Sequence, residues 1–343
     1  MTTASSRRPT VALWLFALAV VLLFPACLVV GTVDIPLREV INALLGMPVE
    51  KATWGVIVTE ARLPMACTAA LAGAALSVAG LLLQTTFDNP LAGPSILGVS
   101  TGSSLGVAIV MLALGGSIGT SVSSYASVLA GAIIGAGAIM LLLLGFSSIV
   151  RSTSMLLIAG ILIGYLASSA ISLLNFFSTQ EGVHSFVIWG LGNFSGVSLD
   201  RLPVFASLII IALLLSALLV KPLNALLLGA RYAENLGVNL RRTRNRLLII
   251  SGLLTAMVTA FCGPIGFIGL IVPHIARLAL RSSNHTVLLP ATALAGAAVA
   301  LLCTFISAIP STGLIPINAI TPIIGVPIIL YIIIGRKRIL YFN

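Results

Sequence analysis

Residues 86–104 read TFDNPLAGPSILGVSTGSS, with two prolines and three glycines set between long apolar runs. Pro90 and Pro94 remove backbone donors, and Gly93, Gly98 and Gly102 loosen any helix built through them. Inside a bilayer, broken backbone survives only where protein or a watery cavity satisfies its polar groups. The stretch therefore reads as a break between two membrane spans, held within protein. A second break follows later in the chain, FCGPIGFIGLIVPHIARLAL at 261–280, with Pro264 and Pro273 and with Gly263, Gly266 and Gly269. Paired interruptions of this kind, in corresponding places of two halves, point to a transport pathway built from repeats.

Composition agrees. The 343 residues are 59% hydrophobic and 8% charged, with a mean hydropathy of +1.18. A soluble domain carries about 25% charged residues, so the chain is expected to be an all-α integral membrane protein. Runs of about 20 apolar residues, enough to span, lie at 11–30, 55–86, 95–114, 122–146, 152–177, 203–220, 246–262, 264–280, 286–308 and 315–335. About ten transmembrane helices are expected, with spans 2–5 and 7–10 forming an inverted repeat. Arg7, Arg8 and the "FPAC" ending at Cys27 faintly resemble a cleaved leader. The apolar run continues to Val30, so an uncleaved first helix is expected.

The net charge of +10 is explained by topology rather than by nucleic acid, since Lys and Arg collect in cytoplasmic loops. With the N-terminus inside and ten alternating spans, 14 cations fall inside: Arg7, Arg8, Arg151, Lys221, Arg231, Arg241, Arg242, Arg244, Arg246, Arg277, Arg281, Arg336, Lys337 and Arg338. The 4 outside are Arg38, Lys51, Arg62 and Arg201. Both termini are therefore expected in the cytoplasm. The polar island ARYAENLGVNLRRTRNR, 230–246, becomes a cytoplasmic loop between spans six and seven. Gly229 and Gly237 bracket two helical turns, in which Ala230, Ala233 and Leu236 form a small-residue face. So short a helix needs something to pack against.

Several motifs carry less than they suggest. GVSTG at 98–102 matches a nucleophile elbow but lacks the strand–turn–helix setting and a His partner. His274 reads as a polar helix end, and His184 and His285 form no metal cluster. Cys27, Cys67, Cys262 and Cys303 lie in apolar runs without metal or disulfide spacing. No catalytic residue, cofactor or metal is expected. The Walker A pattern needs G-x-x-x-x-G-K-[ST]. Lys51 precedes Ala, Lys221 precedes Pro and Lys337 precedes Arg. If ATP drives this chain, the ATPase is another polypeptide.

Two long segments carry a resemblance: RLPMACTAALAGAALSVAGLLLQTTFDNPLAGPSILGVSTGSSLG (62–106) and GPIGFIGLIVPHIARLALRSSNHTVLLP (263–290). They resemble the FecCD-type permease subunits of bacterial ABC importers for iron–siderophore complexes, haem and vitamin B12. The likeness runs from about residue 10 to the C-terminus. It implies one transmembrane permease domain over 1–343, a homodimer in the bacterial inner membrane, two ABC ATPase subunits, and a periplasmic or lipid-anchored substrate-binding protein. It implies that the loop after span six couples to the ATPase, through Ala230, Arg231, Ala233, Glu234, Leu236 and Gly237. It implies a cytoplasmic gate from polar segments after span two and before span five, which here are Asn89 and Leu91 of DNPLA and Thr153 and Ser154 of RSTSM. It implies that Arg62 docks the binding protein, although the arginine that relatives often carry three residues later is Met65 here.

Two other functions compete with an ABC permease. An ion-coupled secondary transporter would also break its helices, but coupling usually places carboxylates inside the membrane. No Asp or Glu lies in the middle of a predicted span. An intramembrane enzyme would rest on GVSTG alone. The apolar, small-residue pathway suits a bulky chelate, with an iron complex the leading expectation.

Overall fold

The computed structural model describes residues 4–113, 122–150, 152–310 and 313–334, and these form helices joined by turns and short loops, with no strand among them. Each of the ten apolar runs falls on a helix. In chain order the helices are α1 (Ala4–Val29), α2 (Leu37–Leu44), α3 (Ala52–Phe87), α4 (Val99–Ala113), α5 (Val122–Ile149) and α6 (Thr153–Phe177). There follow α7 (Gln180–Gly190), α8 (Leu202–Ala217), α9 (Val220–Leu226), α10 (Ala230–Asn235), α11 (Leu240–Cys262), α12 (Ile268–Leu280), α13 (His285–Ser307) and α14 (Ile317–Ile334).

Six of them, α1, α3, α5, α6, α11 and α13, are long and apolar enough to cross a membrane unaided. α8 and α9 pass that test only together, across a 50° bend. α4, α12 and α14 are apolar but shorter. α4 and α12 begin directly after the two interruptions quoted above. Of the cations used to orient the chain, Arg151, Arg336, Lys337 and Arg338 lie outside the described residues, as do the side chains of Arg7 and Arg8.

α3 is the axis of the molecule. It packs on α13, α11, α12 and α8, while α5 packs on α11 and α4, and α6 lies against α4. Close approach depends on glycine. A Cβ at Gly80 of α3 would overlap the Gly269 carbonyl of α12, and one at Gly73 would overlap that of Gly296 on α13. Gly102 and Gly106 of α4 meet Gly135 and Gly131 of α5 in the same way. Where backbones touch, dispersion replaces the hydrophobic drive that lipid cannot supply. The buried hydroxyls in these helices mostly donate to their own helix: Thr86 to Leu82, Thr255 to Ser251, Thr292 to Leu288 and Thr304 to Ala300.

Both breaks are satisfied by protein. The Asn318 side chain accepts from Gly266 N–H at 3.1 Å and donates to the carbonyls of Gly190 (3.2 Å) and Pro264 (2.5 Å), stapling the second break to α7 and α14. At the first break, His274 Nε2 lies 2.8 Å from the Pro90 carbonyl, and Asn89 N–H donates to the Gln84 carbonyl at 3.1 Å. His274 is thus a polar tie at a helix break. Cys27 is buried in α1, its thiol 3.3 Å from the Leu301 carbonyl.

Candidate functional site

One end of the molecule gathers the polar segments. Gly229 (φ +94°) and Gly237 (φ +84°) flank α10 in backbone conformations that L side chains rarely adopt. At its C-terminus Gly237 N–H donates to the Glu234 carbonyl at 2.9 Å and Val238 N–H to that of Ala233 at 3.0 Å. That pair of bonds is the Schellman termination. Asn239 then caps α11, accepting from Arg242 N–H at 2.9 Å.

The helix faces two ways, which corrects the expected small-residue face. Ala233 is fully buried against the rest of the chain and seats α10 on it. Ala230, Arg231, Glu234, Leu236 and Gly237 are exposed. Its large apolar side chains turned outward are Tyr232 and Leu236, 67% and 65% exposed. Tyr232 was not singled out by the sequence, because its contribution depends on which way the helix is seated.

Beside α10 opens a cleft of about 830 Å³. It is walled by Thr86 and Asp88 at the end of α3, Ser148 and Thr153 between α5 and α6, Glu234 of α10, and Arg241 and Arg244 of α11. Arg244 Nη2 donates to the carbonyls of Ser147 (2.5 Å) and Val150 (3.2 Å), so a cation caps the C-terminus of α5, where the helix dipole favours it. Of the expected gate residues, Thr153 lines this cleft; Asn89, Leu91 and Ser154 do not. Asn89 Oδ1 accepts from Leu91 N–H at 2.9 Å, an Asx turn that shapes the loop, and Leu91 is 44% exposed.

Arg62 is placed differently from the expectation. It is 5% exposed, at the end of a π-helical turn (Ile57–Arg62) within α3. Its guanidinium donates to the carbonyls of Leu28 (2.9 Å), Val29 (2.7 Å) and Val33. The side chain that resembles a docking arginine is the cap on the C-terminus of α1, with its donors turned inward.

A second cleft, about 510 Å³, lies between the two breaks. Ser95, Ser100, Thr101 and Ser104 line it, together with Phe186 and Trp189 of α7, whose rings stack at 6.0 Å. No charged side chain lines it. Ser100, the centre of GVSTG, sits in the first turn of α4 with Thr259 Oγ1 at 3.4 Å. That setting is a helix start, not a nucleophile elbow. Among the described residues no three His, Cys, Asp or Glu side chains gather as metal ligands.

The model of the FecCD transport family matches residues 18–335. The chain belongs to the FecCD transport family. This FecCD chain is 32% identical to the hemin transport system permease protein HmuU of Yersinia pestis over 278 residues, 81% of this chain and 83% of that one. It is 36% identical to the vitamin B12 import system permease protein BtuC of Citrobacter koseri over 283 residues, 82% of this chain and 84% of that one. A solved structure of an ABC transporter assigned to the metal-chelate type, in "an inward-facing conformation", superposes with a TM-score of 0.80 at 31% identity, covering 95% of this chain and 98% of its own. The FecCD chain is a multi-pass membrane protein and the permease subunit of an ABC importer. It is not an enzyme, since ATP hydrolysis belongs to a separate subunit. ATPase subunits and a substrate-binding protein are its family partners. Family membership removes the ion-coupled secondary transporter from consideration.

Proposed function

We infer that this FecCD chain carries a metal chelate from the periplasm to the cytoplasm across the bacterial inner membrane, as a homodimer coupled to two ATPase subunits. An iron–siderophore complex is the leading cargo, with haem or cobalamin the other members of the class. The second cleft supports a bulky, neutral-contact cargo: it offers hydroxyls and aromatic rings and no charged group. The outer faces of α6 and α14, with Tyr165 69% and Ile323 74% exposed, suit a second copy. Residues 1–343 act as one permease domain of ten crossings, with both termini in the cytoplasm. The repeat is inverted. The packing of α3 on α13 and α12 recurs as that of α11 on α5 and α4, and the α4–α5 pair recurs as α12–α13.

The observation that carries the reading is the shared cleft. α10, whose Tyr232 and Leu236 point outward, and the end of α3 wall the same cavity as Thr153. In this reading Ala230, Arg231, Glu234, Leu236 and Gly237 meet the ATPase with Tyr232, while Ala233 holds the helix in place. Asn89, Leu91, Thr153 and Ser154 form the gate at the cytoplasmic mouth. Buried aromatic and aliphatic anchors dominate interface energies, so Tyr232→Ala and Leu236→Arg are expected to lose the ATPase on co-purification, at unchanged permease yield. Full retention of the ATPase by both variants overturns the coupling assignment. Stimulation of the complex by its binding protein, loaded in turn with a ferric siderophore, haem or cobalamin, identifies the cargo.

A further inference from the structure

A polar chain, buried at His285 and Thr85, runs from α9 to the end of α3. α9 immediately precedes α10 and packs on α10, α13 and α3. From α9, Asn224 Oδ1 accepts the backbone N–H of His285 at 2.8 Å and faces His285 Nδ1 at 3.0 Å, while Nδ2 donates to Asn284 Oδ1 at 2.9 Å. The backbone donor fixes which way the Asn224 amide points. The imidazole then donates from Nδ1, leaving Nε2 to accept. Its partner there is the Thr85 hydroxyl at 2.9 Å, whose single proton is shared between this nitrogen and the Leu81 carbonyl at 3.0 Å, both of which accept. His285 is 1% exposed and Thr85 8%.

Next along α3, Gln84 Oε1 accepts from Arg277 Nη1 at 2.6 Å and Gln84 Nε2 donates to the Leu270 carbonyl at 3.0 Å. The Gln84 carbonyl in turn takes the N–H of Asn89. Most buried hydroxyls here bond within their own helix, although Ser77 of α3 also donates to the Thr292 carbonyl of α13 at 2.9 Å, beside the Gly73–Gly296 seam. The Asn224–His285–Thr85 chain differs in joining three helices, α9, α13 and α3, through side chains bonded to one another. An imidazole is suited to this, since its two nitrogens point to opposite sides of one rigid plane.

We propose that His285 is a positioning residue for coupling: its ring ties α9, and through it the α10 helix, to the Thr85–Leu91 end of α3, so that displacement of α10 by the ATPase moves the gate loop. The inference rests on the reading of α10 as the ATPase contact. Packed cores bistable between two arrangements turn small shifts at one site into gate movement, and a hydrogen-bonded tie keeps the two ends in register. Without it α10 would still bind the ATPase, but its motion would be spent in α9.

The test uses the complete complex of permease, ATPase and binding protein in proteoliposomes, with cargo uptake and ATP hydrolysis measured on the same vesicles. Thr85→Val keeps the shape and removes the hydroxyl. His285→Asn keeps a nitrogen near the Nδ1 position and lacks Nε2. Both variants are expected to co-purify with the ATPase at wild-type yield and to hydrolyse ATP at the basal rate. Cargo moved per ATP should fall about tenfold, within the usual range of a coupling free energy. The double variant should be no worse than either single one, because both cut the same link. Thr85→Ser, which restores the hydroxyl, should recover uptake. Wild-type transport per ATP in Thr85→Val, or equal loss of uptake and hydrolysis in both variants, overturns the proposal. Full retention of the ATPase by both Tyr232→Ala and Leu236→Arg would instead remove the α10 reading on which it rests, so the two failures are told apart.

Discussion

Arg62 shows how much a residue's role depends on its neighbours. Its sequence setting, RLPM at the start of a long span, resembles a docking arginine. Its structure is a helix cap, with the donors spent on Leu28, Val29 and Val33. Even Gly31 fits this arrangement, since a Cβ there would lie 2.6 Å from the guanidinium. Arg62→Ala is therefore expected to strand three carbonyls and lower stability by about 3 kcal/mol, the scale of lost charged hydrogen bonds at a buried site. The detergent-solubilised variant should melt earlier, while binding-protein affinity of the surviving folded fraction stays at the wild-type value. A variant with normal melting and weakened affinity would restore the docking role. The sequence could not tell these roles apart, because the acceptors come from residues about 30 positions earlier, brought near only by the α1–α3 packing. Ala233 shows the same dependence on its neighbours. Its spacing from Ala230 and Leu236 marked a face, but the seating of α10 on the protein decides which part of that face is covered.

At the level of elements, more was legible. Every apolar run is on a helix, and the two proline–glycine breaks fall directly before α4 and α12. Hydrophobic run length and helix-breaking residues are local properties, which is why they survive the step from sequence to structure. What was not legible is which glycines matter. Gly80 and Gly137 look alike in the sequence, yet a Cβ at Gly80 would overlap the Gly269 backbone, and one at Gly137 would meet nothing within 4 Å. Gly80→Ala is expected to separate α3 from α12 and cost about 1–3 kcal/mol, as overpacking does. Gly137→Ala should change stability by less than about 1 kcal/mol, toward greater stability, by the helix preference of alanine. Thermal melting of the two purified variants decides between them: equal shifts would mean that the α3–α12 seam is looser than described.

For the whole molecule, the distribution of cations gave an orientation, and the structure gathers Arg241 and Arg244, together with Glu234 and Asp88, around a single cleft. Cysteine labelling in intact cells tests the orientation directly. In a background with Cys27, Cys67, Cys262 and Cys303 replaced, Glu181→Cys should react with an impermeant maleimide and Tyr232→Cys should react only after the membrane is opened. Both positions are exposed, so reaction of both in intact cells would overturn the orientation. The family, and with it ATPase subunits and a substrate-binding protein as partners, was legible in two long motifs. The cargo was not, because a cleft of serines, threonines and two stacked rings is equally at home with several large chelates.

The two glycines that bracket α10 have a consequence for any saturation mutagenesis of this protein. Gly229 and Gly237 meet no neighbour within 4 Å, yet both sit at φ values near +90°. A deep scan scored by growth should therefore mark them as intolerant in nearly every substitution, including alanine, alongside Leu236. Read as a footprint, that pattern would extend the ATPase contact by one residue, to Gly229, and would credit to contact at Gly237 what its backbone angle alone produces. Insertion of D-alanine at Gly237 by chemical ligation separates the causes: the mirror-image residue accepts the backbone angle, and its methyl group has open space to occupy.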